Sequence, residues 1–288
     1  MLQQEIDSLV PASAYSRRRF VRTSLGSGFA AAVLPVTAQT IKTDTGGVTT
    51  GEVTIPVGDF KLPAFRAHPE GRVNGLPVVL VISEIFGVHE HIADVTIRFA
   101  KLGYLAIAPE LFVRQGDAQS YGEVAKLIAE VVSKASDAQV MGDLDATVAW
   151  AKAQGADTSK LGITGFCWGG RTTLMYAAHN PGVKAAVAWY GPVARSYHPG
   201  VRTAIDVAGQ IKGAVLGLYG GADAGIPNDT VERMRDALKA AGNTRSEFVI
   251  YPDTPHAFHA DYRPSYRKEQ AEDGWKRATA WFKAHGVG

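Results

Sequence analysis

The sequence predicts an α/β protein with a mostly parallel central sheet and helices on both faces of that sheet. Two observations carry this prediction. Short, continuous apolar runs, typical of strands that are buried on both faces of a parallel sheet, recur along the chain. Between them, apolar residues recur at the helical spacings of three and four, and most of these stretches end at a glycine. Strands that alternate with helices favour right-handed parallel crossovers.

The composition is that of an ordinary globular protein, which excludes a disordered, fibrous or disulfide-stapled chain. Of the 288 residues, 46% are hydrophobic and 20% are charged. Residues 1–38 hold four Arg against one Glu and one Asp, which accounts for the whole net charge of +2. The body of the chain is therefore neutral, and it gives no reason to expect a nucleic-acid partner.

The first 38 residues resemble a twin-arginine export signal. Ser16-Arg-Arg-Arg-Phe20 precedes a weakly apolar stretch, and small residues suggest cleavage near Ala38. The stretch is too short and too interrupted for a permanent membrane anchor. We therefore expect recognition by the export machinery and a periplasmic or secreted location, with a disordered basic tail as the alternative.

The rest of the chain is predicted to contain a linker and one domain. Residues 39–51 are rich in Thr and Gly, which predicts a flexible linker, and residues 52–288 form the domain. A hairpin with strands at 54–57 and 60–66 is expected first. Parallel strands are then predicted at 78–83, 105–108, 161–165, 185–189, 215–219 and 248–251. Helices are predicted around 92–102, 140–151, 171–179, 231–241 and 275–282.

The strongest functional signal is the segment Gly165-Phe-Cys167-Trp-Gly169, which joins a predicted buried strand to a predicted helix. Small residues around a central nucleophile permit the strained turn called a nucleophile elbow. The turn places Cys167 at a helix N-terminus, which favours the thiolate, and leaves the N–H of Trp168 free for an oxyanion. Cys167 is the single cysteine, so it cannot form an internal disulfide. A small buried apolar residue is the alternative interpretation.

A cysteine nucleophile needs a base and a group that orients the base. Asp223 and His256 each follow a predicted strand, in the order nucleophile, acid, histidine that is typical of α/β hydrolases. His259 is a competing histidine, and Asp253 is a competing orienting carboxylate. Glu84 ends the first predicted parallel strand, where a charge is costly unless it has a use, although an ion pair for stability is the alternative.

Five motifs together resemble the dienelactone hydrolase family, also called the carboxymethylenebutenolidases. The motifs are Glu84-Ile-Phe-Gly87, Pro109-Glu-Leu-Phe-Val-Arg114, Gly165-Phe-Cys-Trp-Gly-Gly170, Gly220-Gly-Ala-Asp223 and Pro255-His-Ala-Phe258. The resemblance extends from about residue 52 to the C-terminus and implies an α/β-hydrolase fold. It also implies a catalytic centre made of the side chains of Cys167, His256, Asp223 and Glu84 and the oxyanion-hole N–H groups of Ile85 and Trp168. Glu84 would take the thiol proton when substrate binds.

Two arginines are implied in substrate binding. Arg114 matches a family arginine that holds a substrate carboxylate, with a solvated loop residue as the alternative. A second family arginine would fall at Ala260, which departs from the pattern, and Arg263 is the nearest residue that can take its place. This departure weakens the expectation that dienelactone itself is the substrate.

We therefore expect a hydrolase that cleaves a small carboxylic ester or lactone through an acyl-enzyme on Cys167, without a metal or organic cofactor. His89 and His91, with Glu90 between them, are the nearest candidate metal ligands, and they are expected in a solvated loop instead. One alternative is a non-catalytic periplasmic binding protein with the same fold. Another is thiol redox chemistry, which the absence of a resolving cysteine disfavours.

Overall fold

The computed structural model describes residues 41–195 and 201–288, so the predicted export signal at 1–38 lies outside the described residues. Within these two ranges, eight strands form one sheet in the order β1-β2-β4-β3-β5-β6-β7-β8. The strands are β1 (Val48–Val57), β2 (Phe60–Pro69), β3 (Pro77–Ile82), β4 (Leu105–Pro109), β5 (Asp157–Phe166), β6 (Val183–Trp189), β7 (Ala214–Gly220) and β8 (Glu247–Tyr251). Only the pairs β1–β2 and β2–β4 are antiparallel, so the predicted α/β-hydrolase fold with its mostly parallel sheet is confirmed.

The helices alternate with the parallel strands as the apolar spacing predicts. They are α1 (Glu90–Lys101), α2 (Val124–Glu130), α3 (Asp137–Ala153), α4 (Trp168–His179), α5 (Ala204–Val207), α6 (Asn228–Ala240) and α7 (Lys268–Ala284). The sequence did not predict α2 and α5, because their seven and four residues are too few to display a helical period. Within the described part of the chain, none of the helices is both long and apolar enough to cross a membrane.

The predicted linker is partly wrong, because β1 already begins at Val48. Thr and Val suit the exposed edge of an antiparallel pair, and this preference outweighs the glycines of the segment. Upstream, the N–H of Ile41 donates to Asp261 at 2.9 Å, and the N–H of Thr43 donates to Asp94 at 2.5 Å. These two bonds attach the start of the described chain to α1 and to the loop after β8.

Apolar strands fix the sheet in the middle of the core. All residues of β3 from Val78 to Ile82 are completely buried, as are Ala185 to Ala188 of β6. Continuous burial of this kind requires layers that cover the sheet, and α1, α4 and α7 pack against its strands. The carboxyl ends of β3, β5, β7 and β8 consequently meet at one edge, where the loops are free to carry polar side chains.

Candidate active site

Cys167 lies at the sharp turn between β5 and α4. Its φ of +54° and ψ of −115° form a combination that residues other than glycine rarely adopt. The N–H of Cys167 donates to the carbonyl of Trp189 at 3.0 Å, which fastens the turn to the end of β6. The strand, strained turn and helix that the sequence predicts around this cysteine are all present.

Two glycines allow the turn to pack closely. A Cβ atom on Gly165 would overlap the carbonyl of Gly169, and a Cβ atom on Gly169 would overlap the carbonyl of Ile82. The first turn of α4 therefore lies directly against the end of β3, whose following loop carries Ile85. Trp168 is the first residue of α4, and an N–H at this position has no acceptor in a preceding helical turn. The backbone donors predicted for an oxyanion hole thus belong to adjoining segments.

His256 and Asp223 form a close pair. Nδ1 of His256 lies 2.6 Å from Oδ2 of Asp223, and the second carboxylate oxygen accepts the N–H of Gly225 at 2.9 Å. The Asp223 side chain is 2% exposed, so its position behind the imidazole is fixed by packing as well as by hydrogen bonds. Asp253, the competing carboxylate, is exposed and lies in a turn with a φ of +52°. Asp223 is therefore the carboxylate that orients His256.

The second neighbour of His256 is the thiol of Cys167. The Cys167 side chain lies close enough to the His256 ring for a charge on its sulfur to act on the imidazole. Burial by itself lowers the pKa of His256, but a negative charge on Cys167 and the hydrogen bond to Asp223 outweigh burial and raise that pKa. When Cys167 loses its proton, its thiolate therefore faces an imidazolium, which can hold the charge and later donate a proton.

Glu84 is a buried carboxylate with its own set of partners. Its Oε2 lies 3.0 Å from Nε2 of His89, and its Oε1 accepts the hydroxyl of Tyr262 at 3.4 Å. Burial acts to raise the pKa of Glu84, whereas the hydrogen bond and charge of His89 and the charge of Arg263 hold it well below its usual range. Glu84 is therefore ionised.

The expectation that His89 and His91 lie in a solvated loop is wrong. His91 is 2% exposed, and its Nδ1 lies 3.0 Å from Oδ1 of the buried Asp261. His259 packs 4.5 Å from the Trp189 ring, and burial holds its pKa well below the usual value, so it does not compete with His256. Among the described residues, no group of three or more His, Cys, Asp or Glu is arranged around a possible metal ion.

Sequence reasoning missed His89 as the partner of Glu84. The signal was available, because a carboxylate at the end of a buried strand needs a partner and His89 follows five residues later in the same loop. What the spacing could not reveal is the direction in which this loop turns before α1 begins. The loop brings the imidazole back over the end of β3, with its side chain 18% exposed.

Arg114 is held by a carboxylate of the protein itself. Its two terminal nitrogens donate to the two oxygens of Asp143 on α3, at 2.5 and 2.7 Å. The guanidinium carbon also lies 3.9 Å from the centre of the Phe60 ring. Asp143 is 1% exposed, so it needs this partner. Substrate binding by Arg114 stays a prediction, and it would require Arg114 to exchange Asp143 for another carboxylate.

Arg263 differs from Arg114 in that the protein does not occupy all of its donors. The residue is 6% exposed, and its Nε and Nη2 atoms have no hydrogen-bond partner among the described residues. The guanidinium lies 5.1 Å from the rings of Phe86 and Tyr262, and its charge interacts with Glu84 and Cys167. A buried cation with unused donors is well suited to bind an anion.

A cavity of about 280 Å³ opens beside these groups. Phe86 connects it to Arg263, and Phe112, whose ring lies 4.6 Å from that of Trp168, connects it to the elbow. The cavity is lined by Phe86, Glu110, Phe112, Val113, Gly116, Asp117, Ala118 and Gln119. Its size suits a small molecule, and its two carboxylates disfavour an anion inside it.

Comparison with known proteins places the chain among enzymes of one family. The sequence pattern of the Dienelactone hydrolase family matches residues 62–286. A Methylorubrum extorquens protein, provisionally named a carboxymethylenebutenolidase, is 58% identical over 287 residues, which are 98% of either chain. An Escherichia coli protein with the same provisional name is 48% identical over 266 residues, covering 92% of this chain and 97% of that protein. The crystal structure of a Klebsiella pneumoniae protein, provisionally named a dienelactone hydrolase, matches with a TM-score of 0.79 and 52% identity, covering 82% of this chain and 98% of the other.

Proposed function

The chain belongs to the dienelactone hydrolase family, and from this premise we propose that it hydrolyses a small ester or lactone that bears a carboxylate, through an acyl-enzyme on Cys167. The observation that carries the proposal is the His256–Asp223 pair, 2.6 Å apart, together with the strained turn that presents the thiol of Cys167. A nucleophile, a base and an orienting carboxylate in this arrangement are the requirements of acyl transfer.

Acylation begins when the carboxylate of Glu84 accepts the thiol proton and the sulfur of Cys167 attacks the carbonyl carbon. The carbonyl electrons move to the oxygen, and the N–H groups of Ile85 and Trp168 stabilise the oxyanion. When the carbonyl re-forms, the bond to the leaving oxygen breaks, and that oxygen takes a proton from the imidazolium of His256. The products of this half are an alcohol and a thioester.

Deacylation restores each proton to its starting place. Neutral His256 accepts a proton from water, and the resulting hydroxide adds to the thioester carbonyl. Collapse of the second oxyanion expels the thiolate of Cys167 and releases the carboxylic acid. The thiolate then regains its proton from Glu84, so that the thiol, the carboxylate and the imidazolium are all recovered.

The distribution of charged side chains around the site supports a substrate that bears a carboxylate. Arg263 offers unused donors at the end of the site near Glu84, whereas Glu110 and Asp117 make the cavity unfavourable for an anion. The substrate would therefore place its carboxylate toward Arg263 and its uncharged part in the cavity beside Phe86. A non-catalytic binding role is not favoured, because it has no use for strain at Cys167 or for an oriented imidazole.

The test compares wild type with Cys167→Ala on para-nitrophenyl butyrate and on the mono-para-nitrophenyl ester of succinic acid. We expect the variant to lose at least about a thousandfold in kcat/KM on both esters, because the nucleophile is gone. Wild type should also gain the mass of the acyl group on Cys167 when it is quenched early in the reaction. Turnover that survives in Cys167→Ala, or wild type that cleaves neither ester, would contradict the proposal.

Export is a separate part of the proposal and rests on the sequence of residues 16–22 alone. Changing Arg17 and Arg18 to Lys should retain a C-terminally tagged protein in the cytoplasm, since the receptor reads the paired arginines. Cell fractionation of the tagged wild type and variant is the measurement. Equal distributions would refute export by this route without affecting the hydrolase proposal.

A further inference from the structure

Glu110 is the first residue after β4, at the same edge of the sheet as Glu84. Because β3 and β4 are parallel neighbours, the residues that follow these two strands lie side by side. The backbone of Glu110 is fixed by its own N–H, which donates to the carbonyl of Pro63 on β2 at 2.9 Å. Its side chain lines the cavity together with Phe86 and Phe112, where a carboxylate is costly unless it has a use.

The side chain of Glu110 holds a neighbouring loop. Residues 84–88 follow β3 and include Ile85, so they form the oxyanion loop of the proposed mechanism. Oε1 of Glu110 accepts the N–H of Val88 at 3.3 Å, and Nε2 of Gln119 donates to the carbonyl of Val88 at 3.2 Å. Both polar backbone groups of Val88 are therefore bound by side chains that line the cavity.

The close fit between Glu110 and the oxyanion loop includes Gly87. This residue has a φ of +73°, and a Cβ atom on it would lie 2.9 Å from Oε2 of Glu110. Glycine is therefore favoured twice at this position, by the left-handed backbone and by the approach of the carboxylate. Since glycine has a wide choice of backbone conformations, the shape of the loop depends on contacts from outside it, and Glu110 and Gln119 supply two of them.

We propose that Glu110 and Gln119 are positioning residues for the oxyanion hole, because they fix the oxyanion loop at Val88 and thereby aim the Ile85 N–H at the reacting carbonyl oxygen. This inference rests on the proposed hydrolase function and adds two residues to it. Loss of an entire oxyanion-hole donor costs about a hundredfold or more in kcat. Glu110 and Gln119 act through Val88, three residues from Ile85, so the loss of either should cost less.

The first test compares Glu110→Ala with Glu110→Gln on para-nitrophenyl butyrate. Glu110→Ala removes the acceptor of the Val88 N–H, and we expect kcat to fall about tenfold with little change in KM, because the oxyanion exists only after attack on the carbonyl. Glu110→Gln keeps an oxygen that can accept this N–H and should recover most of the rate. An unchanged kcat in Glu110→Ala, or an equal loss in both variants, would overturn the inference.

The second test uses Gln119→Ala, which removes the other contact to Val88. By itself this variant should lower kcat by about threefold, since one hydrogen bond to the loop remains. Added to Glu110→Ala, it should change kcat by a different factor than in wild type, because both side chains act on the same residue. Strictly multiplicative effects would show that the two residues do not act through Val88 together.

Asp157→Ala is the matched control for a loss of stability. Oδ1 of Asp157 also accepts a backbone N–H, that of Ser159 at 3.1 Å, but Asp157 begins β5 and so lies at the opposite edge of the sheet. Its kcat should equal that of wild type even where Tm is lowered. A loss of kcat in Asp157→Ala as large as in Glu110→Ala would show that any weakened loop reduces activity, which contradicts the inference.

Amide hydrogen exchange, followed by mass spectrometry, tests the contact without any turnover. The peptide that covers residues 84–88 should exchange faster in Glu110→Ala than in wild type or Glu110→Gln, whereas the peptide that covers residues 165–170 should not change. Equal exchange at 84–88 would overturn the inference whether or not an ester is cleaved. Wild type that cleaves neither ester would contradict the hydrolase proposal alone, so the two failures are distinguishable.

Discussion

Two histidine–carboxylate pairs lie at the carboxyl edge of the sheet, and they are built alike. In His256–Asp223 the two side chains are 17% and 2% exposed, and in His89–Glu84 they are 18% and 1% exposed. The nitrogen–oxygen distances are 2.6 and 3.0 Å. The pairs differ in what surrounds them. His256 is influenced by the charge of Cys167, whereas Glu84 accepts the hydroxyl of Tyr262 and is influenced by the charge of Arg263.

The chemical role of each pair therefore depends on the groups next to it and not on the histidine and carboxylate alone. Next to a thiolate, the pair has a histidine with a raised pKa, which can donate a proton. Next to a buried arginine, the pair has a carboxylate whose lowered pKa keeps it ionised, which is the protonation state that a proton acceptor needs. On the proposed mechanism, one pair thus provides the acid and the other provides the base for the same cysteine.

The largest effect is expected where the thiol-facing pair is broken. Asp223→Asn should lower kcat/KM by about a thousandfold, because the imidazole loses both its orientation and the charge that stabilises its cation. Removing that charge lowers the pKa of His256, so the alkaline limb of the pH profile of kcat/KM should move to lower pH. The full pH profile of wild type and variant is the measurement.

Asp253→Asn is the control for this experiment, since Asp253 is exposed and lies in the same loop as His256. Its activity and pH profile should match those of wild type. If Asp253→Asn lost as much activity as Asp223→Asn, the two pairs could not be compared as proposed, because the orienting carboxylate would be the wrong one.

A smaller effect is expected where the second pair is broken. His89→Ala should lower kcat about tenfold, since His89 positions Glu84 and does not touch the reacting atoms. Losing the hydrogen bond and charge of His89 raises the pKa of Glu84, so the acid limb of the kcat profile should move to higher pH. His89→Gln keeps a donor and should restore part of the rate.

His179→Ala serves as the matched control, because His179 pairs with Asp145 at 2.8 Å on the exposed surface. It should leave both rate and profile unchanged. In a Glu84→Gln background, His89→Ala should cause no shift of the acid limb, because the carboxyl group that His89 acts on is absent. An acid limb that stays in place in His89→Ala would show that this pair has only a structural use.

The smallest effect on activity is expected at Arg114. Because its donors are occupied by Asp143, Arg114→Met should change the preference for the succinate ester by less than about twofold. It should, however, lower the free energy of unfolding by about 3 kcal/mol, since it leaves the buried Asp143 unpaired. Denaturant unfolding and the two-ester assay are the measurements. A lost preference for the carboxylate would instead support the substrate-binding role that its motif predicts.

The candidate nucleophile and its partners could be predicted because their signals are local. Cys167 sits between glycines at the end of a buried strand, and Asp223 and His256 each follow a strand that reads as a continuous apolar run. In a parallel sheet, residues after strands meet at one edge whatever the details of the loops. Glu84 could be named for the same reason, since it closely follows β3.

The use made of the arginines could not be predicted. Arg114 matches a family motif, but its partner Asp143 lies 29 residues away on α3, and only the packing of that helix brings the two together. Arg263 lies in a loop, where sequence spacing does not determine which donors find acceptors. The same holds for His89 and Glu110, because the role of each residue depends on which groups lie next to it in the folded protein.

Local sequence patterns sufficed to predict the alternation of strands with the longer helices, the strained turn at Cys167 and the edge of the sheet where polar residues gather. These features follow from apolar periodicity, glycine placement and the geometry of parallel strands, which act over a few residues. Which polar groups find hydrogen-bond partners within the protein depends instead on how the chain packs. Hydrogen bonds and burial depend on residues that are distant along the chain, so the pairing of Arg114 and the unused donors of Arg263 exist only in the folded molecule.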